Sequence, residues 1–391
     1  MYDSVNFHLK EGQFKIENDS FLDGKKTNQV NGRFDIGSSF VSGVRERVKR
    51  SGKYYPLISL PERTIGNNLT GKRREKRLEI QISFQKARYE TNKYEIGKDD
   101  FGFVHKRIIE YLGMAGIATD ITDIKSGVLE KLAISKSIIL PSYYGTAEQV
   151  IKRLTPLNYK PSCKFRYRDY NDGWEGVSVN FHNDVRGFCI YCKYSEIINN
   201  GYTLVEKEIK RQVLAGTQPK DIIRFELTLQ RKQTLEAVLR RVIPSKKKDF
   251  TLNDIFIHSD IAQKLLLEEF DKIYNDTSVA IITLSEMKEN KLDYLLRSRI
   301  SKFQDRVLMA YFVNMTTKIG LSQTLMRAKQ ELRGGSYDRV KKRLPEIVKE
   351  VDELEEITPN LIEFLRSELV KFEPIKPTPQ KTLCQPLLIK V

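Results

Sequence analysis

At 391 residues the chain exceeds one typical domain, and its 40% apolar and 30% charged content suits a sizeable core inside a soluble surface. Lys and Arg number 67 against 51 Asp and Glu, a formal charge of +16, which favours a polyanionic partner such as nucleic acid. No apolar run approaches membrane-spanning length and MYDSVNFHLKEG has no signal-peptide pattern, so the expectation is a cytoplasmic protein with no membrane partner.

Residues 1–60 read as β structure, with Val5, Phe7 and Leu9 alternating with polar neighbours. SFVSGVRERVKR is predicted as a strand that exposes Arg45 and Arg47. A turn-rich connection leads to the basic run Lys72, Arg73, Arg74 and Arg77, read either as a solvated loop or as a nucleic-acid contact. RLEIQISF then alternates strictly, placing Glu79, Gln81 and Ser83 opposite Leu78, Ile80, Ile82 and Phe84. A helix is predicted over Asp100–Gly113, followed by a strand GIATDITDI with Asp120 on one face and Asp123 on the other. Thr146 is the expected N-cap of a helix in GTAEQVIKRL.

Three strands follow in CKFRYRD, GVSVNFH and VRGFCIYCKY, the last two joined by a turn at Asn183-Asp184. Ser178, Asn180 and His182 share a polar face, as do Cys189, Tyr191 and Lys193. Cys189 and Cys192 have C-x-x-C spacing, but residues three apart in a strand point to opposite faces, so neither a metal pair nor a redox pair is expected. A basic helix is read through IINNGYTLVEKEIKRQVL, then a strand IIRFELTLQ with Arg224, Glu226 and Thr228 opposite its core residues. From Lys232 to about Leu369 the period becomes helical. The expected architecture is α+β, an antiparallel-rich sheet with helices on one face, followed by a helical C-terminal domain. The expected division is 1–231, 232–370 and a Pro-rich extended tail over 371–391.

Four strands thus offer a reactive or acidic group on the face away from their apolar residues: Glu79, Asp120, Tyr191 with Lys193, and Glu226. If neighbours, the three carboxylates suit Mg²⁺ or Mn²⁺, and Tyr191 is placed to attack a phosphodiester with Lys193 lowering its pKa or neutralising a phosphate oxygen. Each residue alone is more often an ordinary sheet residue; only the set points to chemistry. His182, Asp123 and Glu196 are secondary candidates for the metal. His182 also reads as a surface histidine beside a turn. Walker A, G-x-S-x-G and G-x-G-x-x-G motifs are absent, as is a His-apolar-His pair. Near the C-terminus, a helix, a short turn at Gly334–Ser336 and a second helix bearing Arg339, Lys341, Lys342 and Arg343, with Ser336 as N-cap, read either as a helix-turn-helix-like DNA reader or as a bundle with a solvated basic face.

The segments ISLP (58–61), RLEIQIS (77–83), Thr119-Asp120, FCIYCKYSEI (188–197), IIRFELTL (222–229) and PLLIK resemble, in order, the gene II/X replication initiators of filamentous phages and related plasmid replication proteins. The resemblance implies an HUH/Rep-like fold and an Mg²⁺-dependent enzyme that nicks one strand of a double-stranded origin. Such an enzyme stays joined to the 5′ phosphate through tyrosine and later rejoins the displaced single strand. Tyr191 takes the nucleophile position, Lys193 supports it, and Glu79, Asp120 and Glu226 fall on acidic positions. Ala118 stands where the family has arginine, which weakens the match at Asp120. Tyr194 and Tyr202 are candidates for a second nucleophile. A host helicase and oligomers on DNA go with that function. A non-catalytic DNA-binding regulator is the rival, and an RNA-binding protein a third alternative.

Overall fold

The strict alternation of apolar and polar residues builds a sheet with one dry and one wet face. The structure is a computed structural model and describes residues 1–18, 28–30, 33–35, 42–65, 73–141, 144–154, 166–169, 178–182, 185–217, 221–244, 247–274, 296–297, 299–352 and 361–377. The strands of its main sheet are β1 (Tyr2–Lys10), β2 (Leu57–Ser59), β3 (Glu62–Ile65), β4 (Arg73–Ser83), β5 (Val128–Ile139), β6 (Arg166–Asp169), β7 (Ser178–His182), β8 (Arg186–Cys192) and β9 (Ile222–Leu229). They form one sheet in the order β6-β7-β8-β9-β5-β1-β4, with β2 and β3 both pairing β4. Every pairing is antiparallel.

Register fixes which side chains share a face, because directly paired residues point the same way. Phe7, Ile80, Ile134, Phe188, Phe225 and Leu227 line the dry face and are buried. Against it lie the helices α3 (Phe101–Met114), α5 (Ala147–Leu154), α8 (Lys232–Val242), α9 (Leu252–Ile257), α10 (Ile261–Ile273) and α14 (Leu361–Lys371), whose apolar residues join the same core. Thr146 caps α5 as expected, its hydroxyl accepting from the Gln149 N–H at 3.3 Å.

Several sequence expectations change. Ser42–Arg50 is a helix, α1, not a strand. Arg45 and Arg47 are exposed on it, and Val48 packs into the core. The basic run is not a loop: Arg73, Arg74 and Arg77 lie in β4, whose Arg73–Lys76 segment pairs with β3, while Lys72 lies outside the described residues. The predicted strand around Asp120 is only Ile117–Ala118, paired with Lys15–Ile16; Asp120 then caps helix α4 (Ile121–Ser126). The predicted basic helix is two, α6 (Lys193–Asn200) and α7 (Leu204–Leu214), split where Thr203 and Glu206 form a capping box. The Asn183-Asp184 turn lies outside the described residues.

The domain boundary also moves. Leu235, Leu239, Phe256, Leu266 and Phe270 belong to the sheet's core, and so do Leu361 and Leu365 near the chain's end. A second core is built from α11 (Phe303–Ile319), α12 (Leu321–Glu331) and α13 (Gly335–Asp352) around Met309, Phe312, Val313, Val340 and Leu344. The helical unit is thus an insertion between α10 and α14, not everything after residue 231. Ser336 lies inside the first turn of α13, not at its cap, and its hydroxyl accepts from Arg339 at 3.2 Å. Of the expected tail, residues 372–377 form no regular secondary structure, with Phe372 at φ +51°, and are tied to the sheet domain: the Glu95 N–H donates to Ile375 O at 2.8 Å, and the Ile375 N–H to Glu95 Oε2 at 3.0 Å. The rest of the tail lies outside the described residues. Among the described residues no helix is long and apolar enough to cross a membrane.

Candidate active site

The wet face of β7, β8 and β9 carries an open hollow of about 360 Å³, lined by Asn180, His182, Cys189, Tyr191, Glu226 and Thr228 among others. Tyr191 pairs with Arg224, and Cys189 with Glu226, so all four side chains share this face. The Tyr191 hydroxyl crosses the β8–β9 ladder and donates to Glu226 Oε2 at 2.9 Å. Thr228 reaches the other carboxylate oxygen at 3.4 Å.

β8 ends at Cys192, so Lys193 opens α6 instead of continuing the strand. Its ammonium still lies 5.5 Å from the centroid of the Tyr191 ring. It is fully buried and donates to Glu196 Oε2 at 2.9 Å. Asn92 Nδ2 also donates to Glu196, at 3.3 Å.

Arg224 is the largest fully buried side chain among the described residues, and sequence reasoning gave it no role. Its guanidinium donates to Asn92 O at 2.6 Å, Gln85 Oε1 at 2.7 Å, Asp3 Oδ1 at 3.2 Å and the Ser135 hydroxyl. Asp3 comes within reach because the β1–β5 register shifts between Tyr2 and Ser4, leaving Asp3 as an extra residue at the bulge. A planar five-donor cation suits such a multi-acceptor socket, where a lysine would leave acceptors unpaired. The available signal was an arginine on the polar side of a strand that is otherwise deeply apolar.

Charge and burial shift these groups in a consistent pattern. Burial, then the Glu226 carboxylate, pushes the Tyr191 hydroxyl well above the usual tyrosine value. Burial, then the nearby Asp3 charge, pushes Glu226 up, against the pull of Arg224. Burial, then Arg224, brings Lys193 down to about 8. Burial acts most strongly on Glu196 and would raise it, but the charge and hydrogen bond of Lys193, together with the Lys86 and Arg224 charges, outweigh burial and hold the carboxyl below its usual value. Tyr191 therefore rests protonated, with a proton acceptor of raised affinity at hydrogen-bond distance.

The other predicted residues do not join this centre. Glu79 shares the wet face but sits on β4, three strand spacings of ~4.8 Å from β9. It pairs with His8, which pairs with Val128, whereas Glu226 pairs with Ser135, so the two acids are also several residues apart along β5. Glu79 instead lines a neighbouring hollow of about 320 Å³ with Gln81, Glu130, Lys131 and Lys232, and Gln230 lines both. Asp120 is exposed and spends its carboxylate on the Asp123 N–H at 2.8 Å. The helix it caps lies on the dry side, since the turn after it, Gly127, abuts the buried Phe7 ring so closely that a Cβ there would come within 2.5 Å. Asp123 belongs to the same short helix. His182 pairs with Gly187, four residues or ~13 Å along β8 from Tyr191. Tyr194 is buried, and Tyr202 stacks its ring under Lys86 at 4.9 Å. Among the described residues no three His, Cys, Asp or Glu side chains are grouped to hold a metal ion. Glu79, Asp120 and Glu226 do not fit a shared Mg²⁺ or Mn²⁺; the positive charge beside Glu226 and Asp3 is Arg224.

Arg339, Lys341, Lys342 and Arg343 are all exposed on α13, which follows α12 after Leu332–Gly334. Gly334 takes φ +53°, a conformation that favours glycine at this tight connection. No protein-family model, curated protein or solved structure matches the chain.

Proposed function

We propose that this chain is a DNA nickase and strand transferase that starts rolling-circle replication through Tyr191. The observation that carries the proposal is the Tyr191–Glu226 hydrogen bond of 2.9 Å on the floor of an open hollow, in a chain of charge +16. The order of short segments resembling gene II/X initiators supports it, and a finer HUH/Rep-like identity of the sheet belongs to the same proposal.

In the proposed step the Tyr191 oxygen attacks the scissile phosphorus and its proton passes to Glu226. The P–O bond to the 3′ oxygen breaks, leaving a 5′-phosphotyrosyl strand, and solvent protonates the departing 3′ oxygen. General-base assistance suits a tyrosine whose own pKa is raised. Lys193 and Arg224, both buried behind the hollow, supply a fixed positive field for the charge that builds on the phosphate. Rejoining is the same step reversed by a 3′ hydroxyl. No step runs through a divalent ion, because the three carboxylates expected to share one lie apart. The exposed basic residues of α1 and α13 would add phosphate contacts with strong salt dependence. Double-stranded origin DNA and the displaced strand are the proposed partners, in the cytoplasm of the host cell.

The test is supercoiled plasmid carrying the cognate origin, supplied with Mg²⁺ and scored for open circles with protein-linked 5′ ends. Wild type is expected to nick. Tyr191→Phe is expected to lose at least 10³-fold and Glu226→Gln at least 10²-fold, both with unchanged DNA binding. Because Glu226 must be ionised to accept the proton, nicking should fall on acidification through a midpoint above the ordinary glutamate value. Nicking by Tyr191→Phe at the wild-type rate rejects the assignment. Binding without nicking in the wild type would favour the regulator.

A further inference from the structure

The inserted helical unit keeps an apolar stripe that its own core does not use. Helix α11 buries Met309, Phe312, Val313 and Thr316 on one side. On the other, Phe303 is 70% exposed, Val307 53% and Tyr311 49%. Steps of four residues put these three on a single stripe, ~12 Å long at 1.5 Å per residue.

The surroundings of that stripe are cationic. Lys302 is exposed at its head, and the Arg306 guanidinium lies 5.9 Å from the Phe303 ring centroid. Arg339, from the first turns of α13, reaches Asp305 at 3.4 Å and so neutralises the acid at this end of α11. Residues 296–348 hold twelve Lys and Arg against four Asp and Glu, a net +8, half of the charge of the whole chain. A stripe so bordered repels a second copy of itself and attracts a polyanion. Two exposed rings with interleaved cations match a single strand in particular, which offers unstacked bases as well as phosphates, whereas a duplex hides its base faces.

We infer that Phe303 and Tyr311 form a stacking platform for the bases of single-stranded DNA, with Lys302 and Arg306 on its phosphates. This deepens the proposed function and rests on it for the source of the strand, the one displaced after nicking. The binding itself does not depend on chemistry at Tyr191.

The test uses the full chain with Tyr191→Phe as parent, and a fluorescein-labelled 20-nucleotide single strand of mixed sequence followed by anisotropy. Adding Phe303→Ala and Tyr311→Ala together should weaken binding about thirtyfold or more, from the usual loss per stacked base. Replacing both by Trp should hold affinity within threefold, and so should Met326→Ala, an exposed apolar residue on α12. The duplex of the same sequence should lose less than threefold in the double-alanine form. Circular dichroism should be unchanged, and if the alanine form loses helicity the Trp form decides, with tenfold weakening there contradicting the inference. Single-strand binding by a folded double-alanine form within threefold of the parent overturns the inference. So does an equal loss for strand and duplex, competition by polyglutamate as effective as by unlabelled strand, or a shift from dimer to monomer with strand affinity intact. A chain that never nicks but shows the ring-dependent binding removes the reaction alone; a chain that nicks without it removes this inference alone.

Discussion

The two cores handle charge in opposite ways. Beside Tyr191, Arg224 and Lys193 are fully buried, and their partners Asp3 and Glu196 are fixed against them. On α13, Arg339, Lys341, Lys342 and Arg343 all face solvent. Buried charge is costly to assemble and strongly felt when a partner is removed; exposed charge is cheap, screened by salt and weakly coupled to folding. The first arrangement preorganises a site, and the second supplies long-range attraction. The difference separates where chemistry is proposed from where affinity is proposed.

Removing one member of each set should break the symmetry sharply. Arg224→Met leaves Asp3, Gln85, Ser135 and Asn92 O without their shared donor, and should lower unfolding free energy by about 3–5 kcal/mol. Lys342→Met on α13 should cost no more than about 0.5 kcal/mol. Urea titrations of both proteins compare them directly, and similar losses would erase the contrast.

Lys193 sharpens it through pH. Its folded value of about 8 lies below the usual 10.5, chiefly through burial. Below pH 8 both folded and unfolded states carry the proton and the burial penalty is constant. Between pH 8 and 10.5 the unfolded state binds more protons, so the Lys193 contribution to stability rises with pH. Relative to Lys193→Met, the wild type should gain up to about 3 kcal/mol across that window, from 1.36 kcal/mol per pKa unit. A flat difference would mean that the ammonium is solvated.

On the exposed side, Lys341→Gln, Lys342→Gln and Arg343→Gln together should leave the urea midpoint unchanged. They should reduce the slope of log affinity against log salt for duplex DNA by up to about 2–3. An unchanged slope would mean that α13 does not touch phosphate. The smallest effect is expected at the acids outside the hollow: Glu79→Gln and Asp120→Asn should each keep nicking within about threefold. A hundredfold loss at either would restore a shared carboxylate site.

Much of the wet face was legible in the chain because a period of two survives any choice of neighbours. Tyr191, Glu226 and Glu79 do share a face, as the alternation of FCIYC, RFELT and RLEIQ requires. Distance across the sheet is not local information, so the same alternation could not tell that β5 and β1 intervene between Glu226 and Glu79. At Asp120 the alternation was carried past a two-residue strand; the pair Asp120 and Asp123, three apart before Ile124, was the helix-start signal that competed with it. The segment at Arg45 fits both periods, since Val44 and Val48 are four apart and even-numbered. Helices that cover a sheet and helices that form a bundle share one period, so the boundary at residue 232 was not readable from periodicity. Arg224 was visible but unassigned, because its partners come from Asp3, Gln85, Asn92 and Ser135, far away in sequence.

The covalent intermediate offers the most direct measurement. Wild-type protein is incubated with a nickable origin substrate, the DNA is digested away, and the tryptic peptides are mapped by mass spectrometry for a nucleotide adduct. The account predicts a single phosphotyrosyl adduct at Tyr191 that disappears in Tyr191→Phe and is strongly reduced in Glu226→Gln. An adduct on Tyr194, Tyr202 or any other residue, or nicked product with no adduct at all, would contradict it.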